Sequence, residues 1–405
     1  MGKVAPLVLA LLFVAAPARA QGMEMQRLRE IAEQTVAQGQ HYPVVELLTM
    51  GVGSLIWERH GHVAICVQYP DPEQDACYNY GVADFQHPIG MAAGFFRGTH
   101  SFWADKEAPA NMLWVYLHFD RTVWVQPLPL DDAQKKQVID KLEHDILIEN
   151  RYYAYDHFWD NCTTRVRDII DNATNHALLD MKEPSDGKTY RDLARDGFYG
   201  VGHYVPLIIT DLAMGRVTDR VPSYWERMFL PDYLREAVAK KWNIQPIPIY
   251  VRSECRGSTV PGCVERGAPF QPPTSGRIWF VLIALLLTAP AWATRLWGRL
   301  QRTGMAVAVI PYVFLGSIFW FLAIISPLQY VRWNESCLLF LPADLLLVWW
   351  LTPERRRKYA RARVAMLAVI AGLLLVGVLK QPLLYALIWP LVPNAVAAFW
   401  PSNPE

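Results

Sequence analysis

Residues Tyr152–Asp168 read YYAYDHFWDNCTTRVRD, and this stretch decides how the rest of the chain is interpreted. Asp160 and Asn161 offer side-chain oxygens that can cap the start of a helix. Cys162 follows them directly, and apolar residues recur at helical spacing on the face that carries it. The pattern predicts a helix whose first turn holds a cysteine and whose inner face packs against a core.

The position of Cys162 predicts its chemistry. Unpaired backbone N–H groups and the positive end of the helix dipole favour a thiolate over a thiol. We therefore expect a pKa below that of a free cysteine and a nucleophilic sulfur. The alternative is a structural cysteine, because free cysteine is among the residues most often buried in protein cores. The cysteine alone does not decide between the two.

A second stretch, Trp57–Val67, reads WERHGHVAICV and predicts a strand that begins near His62. After a turn-like segment, the sequence ACYNYG predicts a second strand that pairs with the first as a hairpin. If Cys66 and Cys77 meet in a disulfide, the antiparallel register places Asn79 diagonally next to His62 on one face. That face then presents a histidine together with an amide able to orient it.

These residue types suit nucleophilic catalysis by a thiol. A thiolate nucleophile needs a base that takes and returns a proton, and the base needs a third group that holds its tautomer. Cys162, His62 and Asn79 match the three roles. Asp84 and His87 are the alternatives for the third role, and a structural core histidine is the alternative for the second. No cysteine or carboxylate cluster completes a metal site around the histidines, so we expect neither a metal nor a cofactor.

The rest of this region predicts a domain that mixes helices with a sheet. Met112–Phe119 and Thr122–Leu128 alternate like two adjacent strands. An amphipathic helix is expected to follow, from Asp131 to about Asn150. Together with the hairpin and the cysteine helix, these elements favour an α+β fold.

The composition divides the chain into an exported part and an apolar part. Residues 1–20 combine a basic start, an apolar run and a small-residue cleavage site, which indicates a signal peptide. Residues 21–245 have the composition of a soluble domain, and residues 246–276 form a linker rich in proline and glycine. Cys255 and Cys263 enclose a short loop within the linker, and in an oxidising compartment we expect them to form a disulfide.

Residues 277–405 are predicted to form an all-α transmembrane domain of about five helices. The apolar runs are Ile278–Trp297, Met305–Ile325, Cys337–Leu351, Val364–Leu379 and Leu383–Trp400. The loops between them alternate between rich and poor in basic residues, as the positive-inside rule requires if the soluble domain lies outside the cytoplasm. The formal net charge of +1 argues against a nucleic-acid partner.

Three pieces of the sequence resemble one family. RHGHVAICV, CYNYGVADF and YYAYDHFWDNCTTRVRD are similar to the N-terminal periplasmic domain of the Lnb proteins, which are bacterial lipoprotein N-acyltransferases. The matching positions are Gly61–His62, Asn79–Gly81 and Asn161–Thr163, and Met228–Leu234 also resembles the family. The resemblance implies a permuted papain-like (NlpC-type) fold for the periplasmic domain, followed by membrane helices.

The resemblance also implies an activity. Cys162 would take a fatty acyl chain from a phospholipid or diacylglyceryl donor as a thioester, with His62 as base and Asn79 orienting it. The acceptor would be the α-amino group of the lipidated N-terminal cysteine of a lipoprotein. Both substrates lie in the outer leaflet. The protein is therefore expected in the bacterial inner membrane as a multi-pass protein with its catalytic domain in the periplasm.

Further residues are expected to contact substrate on the basis of this resemblance and of the predicted topology. They are Asn161, Thr163, Arg165, Asn334 and Glu335. Arg165 would meet a lipid phosphate, and its alternative role is to pair with a carboxylate such as Asp168. For Asn334 and Glu335, at the outer end of a predicted span, the alternative is a short exposed polar loop.

Two other classes of protein compete with the acyltransferase. A thiol–histidine fold of this type also supports cell-wall peptidases and amidases, because a fold alone does not decide function. The membrane half argues against a wall hydrolase, which needs at most one anchor. The other competitor is a non-catalytic membrane scaffold in which Cys162 is structural.

Overall fold

The structure, a computed structural model, describes residues 22–184, 186–197, 204–255 and 274–400. The predicted signal peptide and Cys263 lie outside the described residues. The chain folds into two compact units, Met1–Asp186 with Pro222–Ala268 and Gly187–Val221 with Pro269–Glu405. The segment Gly187–Val221, which the composition places with the soluble domain, therefore groups with the C-terminal helices.

The first unit contains one antiparallel sheet of seven strands in the order β6-β4-β3-β2-β1-β5-β7. The strands are β1 (Val44–Met50), β2 (His62–Gln68), β3 (Ala76–Val82), β4 (Phe102–Glu107), β5 (Val123–Pro127), β6 (Tyr152–Tyr153) and β7 (Ile247–Tyr250). The last strand lies within the predicted linker and pairs with β5, so the folded unit extends beyond residue 245.

The helices lie in both units. In chain order the α-helices are α1 (22–37), α2 (Pro88–Arg97), α3 (Pro109–His118), α4 (Asp132–Asp145), α5 (Cys162–Ala173), α6 (Tyr190–Asp196), α7 (Tyr204–Ala213), α8 (Tyr224–Arg227), α9 (Pro231–Trp242), α10 (Thr274–Trp297), α11 (Gln301–Ile325), α12 (Gln329–Arg332), α13 (Ser336–Leu339), α14 (Pro353–Leu375) and α15 (Ile388–Phe399). The 3₁₀ helices are Ile56–Glu58, Pro72–Gln74, Arg216–Asp219, Ser253–Cys255, Pro342–Leu347 and Leu384–Leu387.

Different helices cover the two faces of the sheet. Successive side chains of a strand point to opposite faces. Val45 and Leu47 of β1 therefore join a core with α4, α5 and α9, whereas Leu48 and Met50 join a second core with α1 and α3. Because both faces are covered, β1 is buried along its whole length, and β2 is buried beyond His62.

The prediction of a strand at Met112–Phe119 is wrong, because these residues lie in and just after α3. Pro109 is well placed in the first turn of a helix, where its missing N–H costs no hydrogen bond. Met112 and Leu113 are buried and the following apolar residues are not, which is the spacing of a helix face rather than of a strand. The neighbouring prediction is confirmed, since Thr122–Leu128 contains β5.

The predicted amphipathic helix is confirmed as α4, with Asp131 as its cap. It ends at Asp145, earlier than Asn150. Lys135 of this helix is buried, and its amine donates a hydrogen bond to the backbone oxygen of His41.

The second unit is helical and contains two helices long and apolar enough to cross a membrane, Gly276–Trp297 and Gln301–Ile325. The other three predicted spans are not confirmed. The run Cys337–Leu351 is divided between the short α13 and a 3₁₀ helix, and the last run contains the 3₁₀ helix Leu384–Leu387 followed by α15. The basic segment predicted as a loop after Thr352 forms the first turns of α14, with Thr352 as its cap.

Candidate active site

The helix that carries the cysteine begins as predicted. Asn161 caps α5: its side-chain oxygen accepts a hydrogen bond from the Thr164 N–H at 2.9 Å, and the Thr164 hydroxyl accepts one from the Asn161 N–H at 2.8 Å. The amide nitrogen of Asn161 donates to the backbone oxygens of His157 and Phe229, at 2.7 and 3.0 Å. All three bonds of the Asn161 side chain therefore hold the start of α5 in place.

The contact with Phe229 connects the stretch Met228–Leu234 to the cysteine stretch Tyr152–Asp168 in the folded chain. Met228, Phe229 and Leu230 are buried, and the backbone oxygen of Phe229 accepts the hydrogen bond from Asn161. Residues far along the chain thus fix the capping side chain that precedes the nucleophile. The sequence resembles the family here, but its pattern does not indicate this role.

The predicted hairpin is confirmed together with its register. Strands β2 and β3 are antiparallel, with Cys66 opposite Cys77 and Ala64 opposite Asn79. The two cysteines form a disulfide, and both are fully buried. Cys255 also takes part in a disulfide, while its predicted partner lies outside the described residues.

The histidine and the amide meet as the register predicts. The His62 Nε2 lies 3.2 Å from the Asn79 Oδ1, which is hydrogen-bond distance. The two alternatives for the third role pair with each other instead: the His87 Nδ1 lies 2.7 Å from an Asp84 carboxylate oxygen, and both side chains are exposed. Of the three candidates, Asn79 is therefore the one that the structure places on His62.

The sulfur of Cys162 lies against the strand that carries the histidine. The backbone N–H of Val63, the residue after His62, donates a hydrogen bond to the thiol. On the neighbouring strand, Gly81 has φ +81°, and a Cβ built there would lie 3.6 Å from the Cys162 Cβ and 3.3 Å from the Tyr155 ring. The fold thus brings the thiol to the residue that adjoins His62, at a point where only glycine fits without strain.

The predicted low pKa of Cys162 is wrong. The side chain is 8% exposed, and burial raises the pKa of the thiol above its ordinary value. Hydrogen bonds from the Thr163 hydroxyl and from the backbone N–H groups of Val63, Thr163 and Cys162 itself oppose this effect without cancelling it. The resting nucleophile is therefore a neutral thiol, and the same N–H groups lie where a developing negative charge would be stabilised.

The resting histidine is neutral as well. Burial, reinforced by the positive charge of Arg121 and opposed by the hydrogen bond to Asn79, lowers the pKa of His62 to about 4. The Tyr116 ring stacks on the imidazole with 6.2 Å between ring centroids, and the Arg121 guanidinium lies 4.7 Å from the centre of the Tyr116 ring. Both candidate catalytic groups are therefore neutral at rest, as in a general-base pair rather than in a preformed ion pair.

The sequence does not indicate that Tyr116 and Arg121 lie near His62. The alternation in Met112–Phe119 predicts a strand at Tyr116, and Arg121 falls between the two predicted strands. The Arg121 guanidinium donates a 2.8 Å hydrogen bond to the Gly51 backbone oxygen, and another of its nitrogens lies 3.5 Å from a Glu58 carboxylate oxygen. The Pro109 helix start was the one local signal that would have placed Tyr116 on a helix.

Arg165 pairs with Asp160 rather than with Asp168. Its guanidinium makes two bonds to that carboxylate, at 2.6 and 2.8 Å, and lies 3.6 Å from the centre of the Tyr153 ring. Asp168 binds Arg167 instead. Thr163 is fully buried, with its hydroxyl oxygen 3.8 Å from the sulfur. Of the predicted substrate contacts in this unit, Thr163 is the one next to the sulfur.

Asn334 and Glu335 belong to the helical unit. The Asn334 amide donates to the backbone oxygen of Leu212 at 2.9 Å. The Glu335 carboxylate accepts hydrogen bonds from the backbone N–H groups of Lys380 and Gln381, at 2.9 and 2.8 Å. These bonds tie α7 and the segment before α15 to the centre of that unit, and a role in substrate binding stays a prediction.

A metal site is not formed by the histidines near the thiol. The His60 ring lies 4.9 Å from the His157 ring, between centroids. Within residues 22–184, 186–197, 204–255 and 274–400, no group of three or more histidine, cysteine or acidic side chains is arranged to hold a metal ion.

These features define a class of protein. One unit is a mixed helix-and-sheet domain that contains a thiol at a helix start and a histidine–amide pair, and the same chain continues into two helices able to cross a membrane. Residues 34–196 match the family model described as the Lnb N-terminal periplasmic domain, and this match supports an Lnb-type protein. Comparison with curated proteins and with solved structures gives no match.

The family match covers the candidate site. His62, Asn79 and Cys162 all lie within residues 34–196. Together with the two apolar helices, the match indicates a membrane protein with a periplasmic domain, and the family points to an enzyme of lipoprotein processing.

Proposed function

We propose that this protein is a membrane-anchored, cysteine-dependent acyltransferase. It moves a fatty acyl chain, through a thioester on Cys162, to the α-amino group of the lipidated N-terminal cysteine of a bacterial lipoprotein. One observation supports this above the others: the buried Cys162 lies against Gly81 of β3, the strand that also carries Asn79, and Asn79 is within hydrogen-bond distance of His62.

In the first half-reaction, His62 acts as the base. Because the Asn79 oxygen accepts a hydrogen bond from Nε2, the Nδ1 of His62 keeps its lone pair and removes the thiol proton as sulfur attacks the ester carbonyl of the donor. Backbone N–H groups at the start of α5 and at Val63 stabilise the oxyanion. The intermediate then expels the alcohol, which takes the proton from His62, and leaves the acyl-thioester.

In the second half-reaction, the lipoprotein α-amine attacks the thioester. His62 now takes a proton from the attacking nitrogen and returns it to the departing sulfur, so the amide forms and the thiol is regenerated. A thioester suits both half-reactions, because a thiolate is a good nucleophile in the first and a good leaving group in the second. No group other than the chain's own residues is needed for the proton balance.

The order of the catalytic residues supports a permuted papain-like arrangement. Papain-like proteases place the cysteine before the histidine in the chain. Here His62 lies on a strand and Cys162 follows a hundred residues later on a helix, which is the order that a permutation requires. We propose the NlpC-type fold on this ground and on the family resemblance.

The lipid nature of both substrates supports the membrane location. A bacterial inner-membrane protein with several spans and a periplasmic catalytic domain would present its thiol on the side where the donor phospholipid, or the diacylglyceryl group, and the lipoprotein acceptor reside. Two helices meet the length and apolarity of a span, and the remaining three predicted spans belong to this proposal.

The test compares the parent with Cys162→Ser in cells depleted of their own lipoprotein N-acylation. Mass spectrometry of a marker lipoprotein then reads the acylation of its N-terminus. The matched control is Cys337→Ser, since Cys337 is the other free cysteine of the described residues. We expect the parent and the control to restore acylation and Cys162→Ser to fail.

Other outcomes overturn the proposal. If no variant restores acylation and cleaved wall peptides accumulate with the parent alone, the protein is a wall peptidase or amidase. If the parent and Cys162→Ser behave alike, the cysteine is structural and the protein is a scaffold.

A further inference from the structure

The Glu107 carboxylate contacts the Asn79 side chain of the histidine–amide pair. Glu107 ends β4, opposite Cys77 on β3, and its side chain lies beside that of Asn79. The Asn79 amide nitrogen donates a short hydrogen bond to the Glu107 carboxylate, while the Asn79 oxygen faces the His62 Nε2 at 3.2 Å. The three side chains therefore form a row that runs from the edge of the sheet to the imidazole.

This row fixes the direction of the Asn79 amide. An ionised carboxylate can only accept hydrogen bonds, so the NH₂ group of Asn79 must face Glu107 and its oxygen must face His62. An oxygen at Nε2 in turn requires the proton on Nε2 and leaves the lone pair on Nδ1. Without the carboxylate, the amide can turn by 180° and present NH₂ to the ring, which would hold the opposite tautomer.

We propose that Glu107 is a positioning residue that selects the reactive tautomer of His62 through Asn79. This inference rests on the proposed function for its effect on rate, but the tautomer itself can be measured without any acyl transfer. Glu107 touches neither sulfur nor substrate in this scheme. It acts only through the amide between it and the ring.

The surroundings of Glu107 make the effect dependent on pH. Burial and the nearby negative charge of Asp105 raise the pKa of Glu107, and the hydrogen bond from Asn79 opposes them. The charge of Glu107 also acts on the Tyr116 phenol. The neighbouring cation, Lys106, forms an ion pair with Glu143, with 2.7 Å between the Lys106 Nζ and a Glu143 carboxylate oxygen. Protonation at low pH gives Glu107 a donor, so the direction of the Asn79 amide is no longer imposed.

Glu107 is also open to protons from solvent. It lines an open cleft together with Glu73, Asp75 and Lys106. The cleft lies on the side of Asn79 away from the imidazole, since the amide bonds Glu107 through one end and His62 through the other. A titration of Glu107 is therefore expected to change the His62 tautomer through the amide, whereas its charge also acts on Tyr116.

The first measurement is the ¹⁵N spectrum of His62 in the full chain, labelled at histidine and solubilised in detergent, with His62→Gln identifying the signal. In the parent near pH 7.5 we expect Nε2 to carry the proton. In Glu107→Gln, whose amide can either accept or donate, we expect a mixture of the two tautomers. Asp105→Asn, which removes the neighbouring charge and leaves the row intact, is the matched control and should resemble the parent.

A paired substitution supplies the rescue. In Asn79→Asp with Glu107→Gln, a carboxylate at position 79 can only accept, so it imposes the Nε2 proton again and takes a hydrogen bond from the amide at position 107. In the acylation assay we expect kcat of Glu107→Gln to fall about tenfold with little change in KM, and the double variant to recover most of it. The acid limb of the pH profile should be lost in Glu107→Gln and should move to lower pH in Asp105→Asn, because the Asp105 charge raises the pKa of Glu107.

Two results would overturn the assignment. One is a His62 tautomer that stays the same in the parent and in Glu107→Gln. The other is a double variant that is no better than Glu107→Gln alone in both the spectrum and the assay. If the parent transfers no acyl chain, the proposed function fails, and the ¹⁵N spectra still decide the role of Glu107.

Discussion

The reactivity of a single cysteine depends here on two opposing effects. A helix start and three backbone N–H groups favour the thiolate of Cys162, whereas burial disfavours it. The sequence shows the helix start but not the burial, which arises only when α5 packs against β2 and β3. For this reason the position of Cys162 at a helix start was predictable and the direction of its pKa was not.

The raised pKa of Cys162 predicts slow alkylation at neutral pH. In a Cys337→Ser background, iodoacetamide should modify Cys162 more slowly near pH 7 than it modifies a free cysteine peptide. Because the folded thiol loses its proton only above the ordinary pKa, the rate should keep rising as the pH passes that value. The measurement is the modified fraction of the Cys162 peptide by mass spectrometry, over about pH 6 to pH 10.

The denatured chain is the control for this prediction, since unfolding removes the burial and should restore the ordinary profile. A rate that is already maximal near pH 6 in the folded protein would mean that thiolate and imidazolium exist as an ion pair. That result would contradict a neutral resting site.

At the scale of strands, a buried glutamate makes the stability of the sheet depend on pH. Glu46 of β1 is fully buried, with an oxygen 2.6 Å from the Gln68 amide nitrogen of β2. Burial raises the pKa of Glu46 to about 8, the hydrogen bond from Gln68 lowers it, and the charges of Asp75 and Arg29 act in opposite directions. The folded chain therefore holds a proton here that the unfolded chain releases above its ordinary pKa.

Because Glu46 is protonated in the folded state, the first unit becomes less stable as the pH rises. Between the ordinary value of 4.5 and about 8, the folded state binds more protons than the unfolded state, so the free energy of unfolding falls with increasing pH. Glu46→Gln, which needs no proton, should raise the unfolding midpoint near pH 8 by a few degrees, about 2–4 °C, and have a smaller effect near pH 5.

Thermal unfolding followed by circular dichroism, at both pH values, measures this effect. Glu73→Gln, an exposed acid outside the core, is the control. If Glu46→Gln lowers the midpoint at pH 8, the carboxyl contributes more through its hydrogen bonds than it costs in burial, and the assigned direction is wrong.

The disulfide joins β2 to β3 in the register that also brings His62 and Asn79 into contact. Cys66 and Cys77 are separated by 11 residues, and closing a loop of that size is worth about 2–3 kcal/mol through the unfolded state. Changing both to Ala should lower the free energy of unfolding by about this amount. Cys337→Ser, which breaks no bridge, should leave the first unit unchanged.

Urea titration of the two variants in detergent measures the difference. Activity should fall less than stability if the register survives, because strands β2 and β3 are also paired by their ladder. An unchanged free energy of unfolding would mean that the bridge does not constrain the unfolded chain.

The element scale also shows why part of the site was predictable. Two cysteines flanking a turn define one register, so the position of Asn79 followed from counting. Glu107 comes from another strand, and Tyr116 and Arg121 from a helix and the turn after it, so no local spacing links them to His62. The alternation in Met112–Phe119 resembled a strand because helix and strand patterns overlap in short apolar runs.

At the scale of the whole chain, composition separates a soluble part from an apolar part but does not predict which folded unit each segment joins. The segment Gly187–Val221 groups with the C-terminal helices, where Leu212 joins their apolar core and buried polar groups add further contacts. Asn334 and Ser336 both bond the backbone oxygen of Leu212, for example. Such contacts are invisible to hydropathy, because each partner looks like an ordinary polar residue in its own stretch.

The number of spans remains a prediction, and α14 can test it. If α10 and α11 alone cross the membrane, the basic start of α14 lies on the same side as the catalytic domain. If the predicted third crossing exists, it lies in the cytoplasm. Six basic residues between Arg355 and Arg363 favour the cytoplasm, because the positive-inside rule places such clusters there.

The measurement uses Lys358→Cys in the Cys337→Ser background, since the Lys358 side chain is 74% exposed and its only ion pair in the described residues is with Glu354. A membrane-impermeant maleimide should leave intact spheroplasts unlabelled at position 358 and label it after lysis. Lys136→Cys, equally exposed in the catalytic domain, should be labelled in both conditions. Labelling of both sites in intact spheroplasts would place α14 in the periplasm, and the multi-span topology would then have to be abandoned in favour of two crossings.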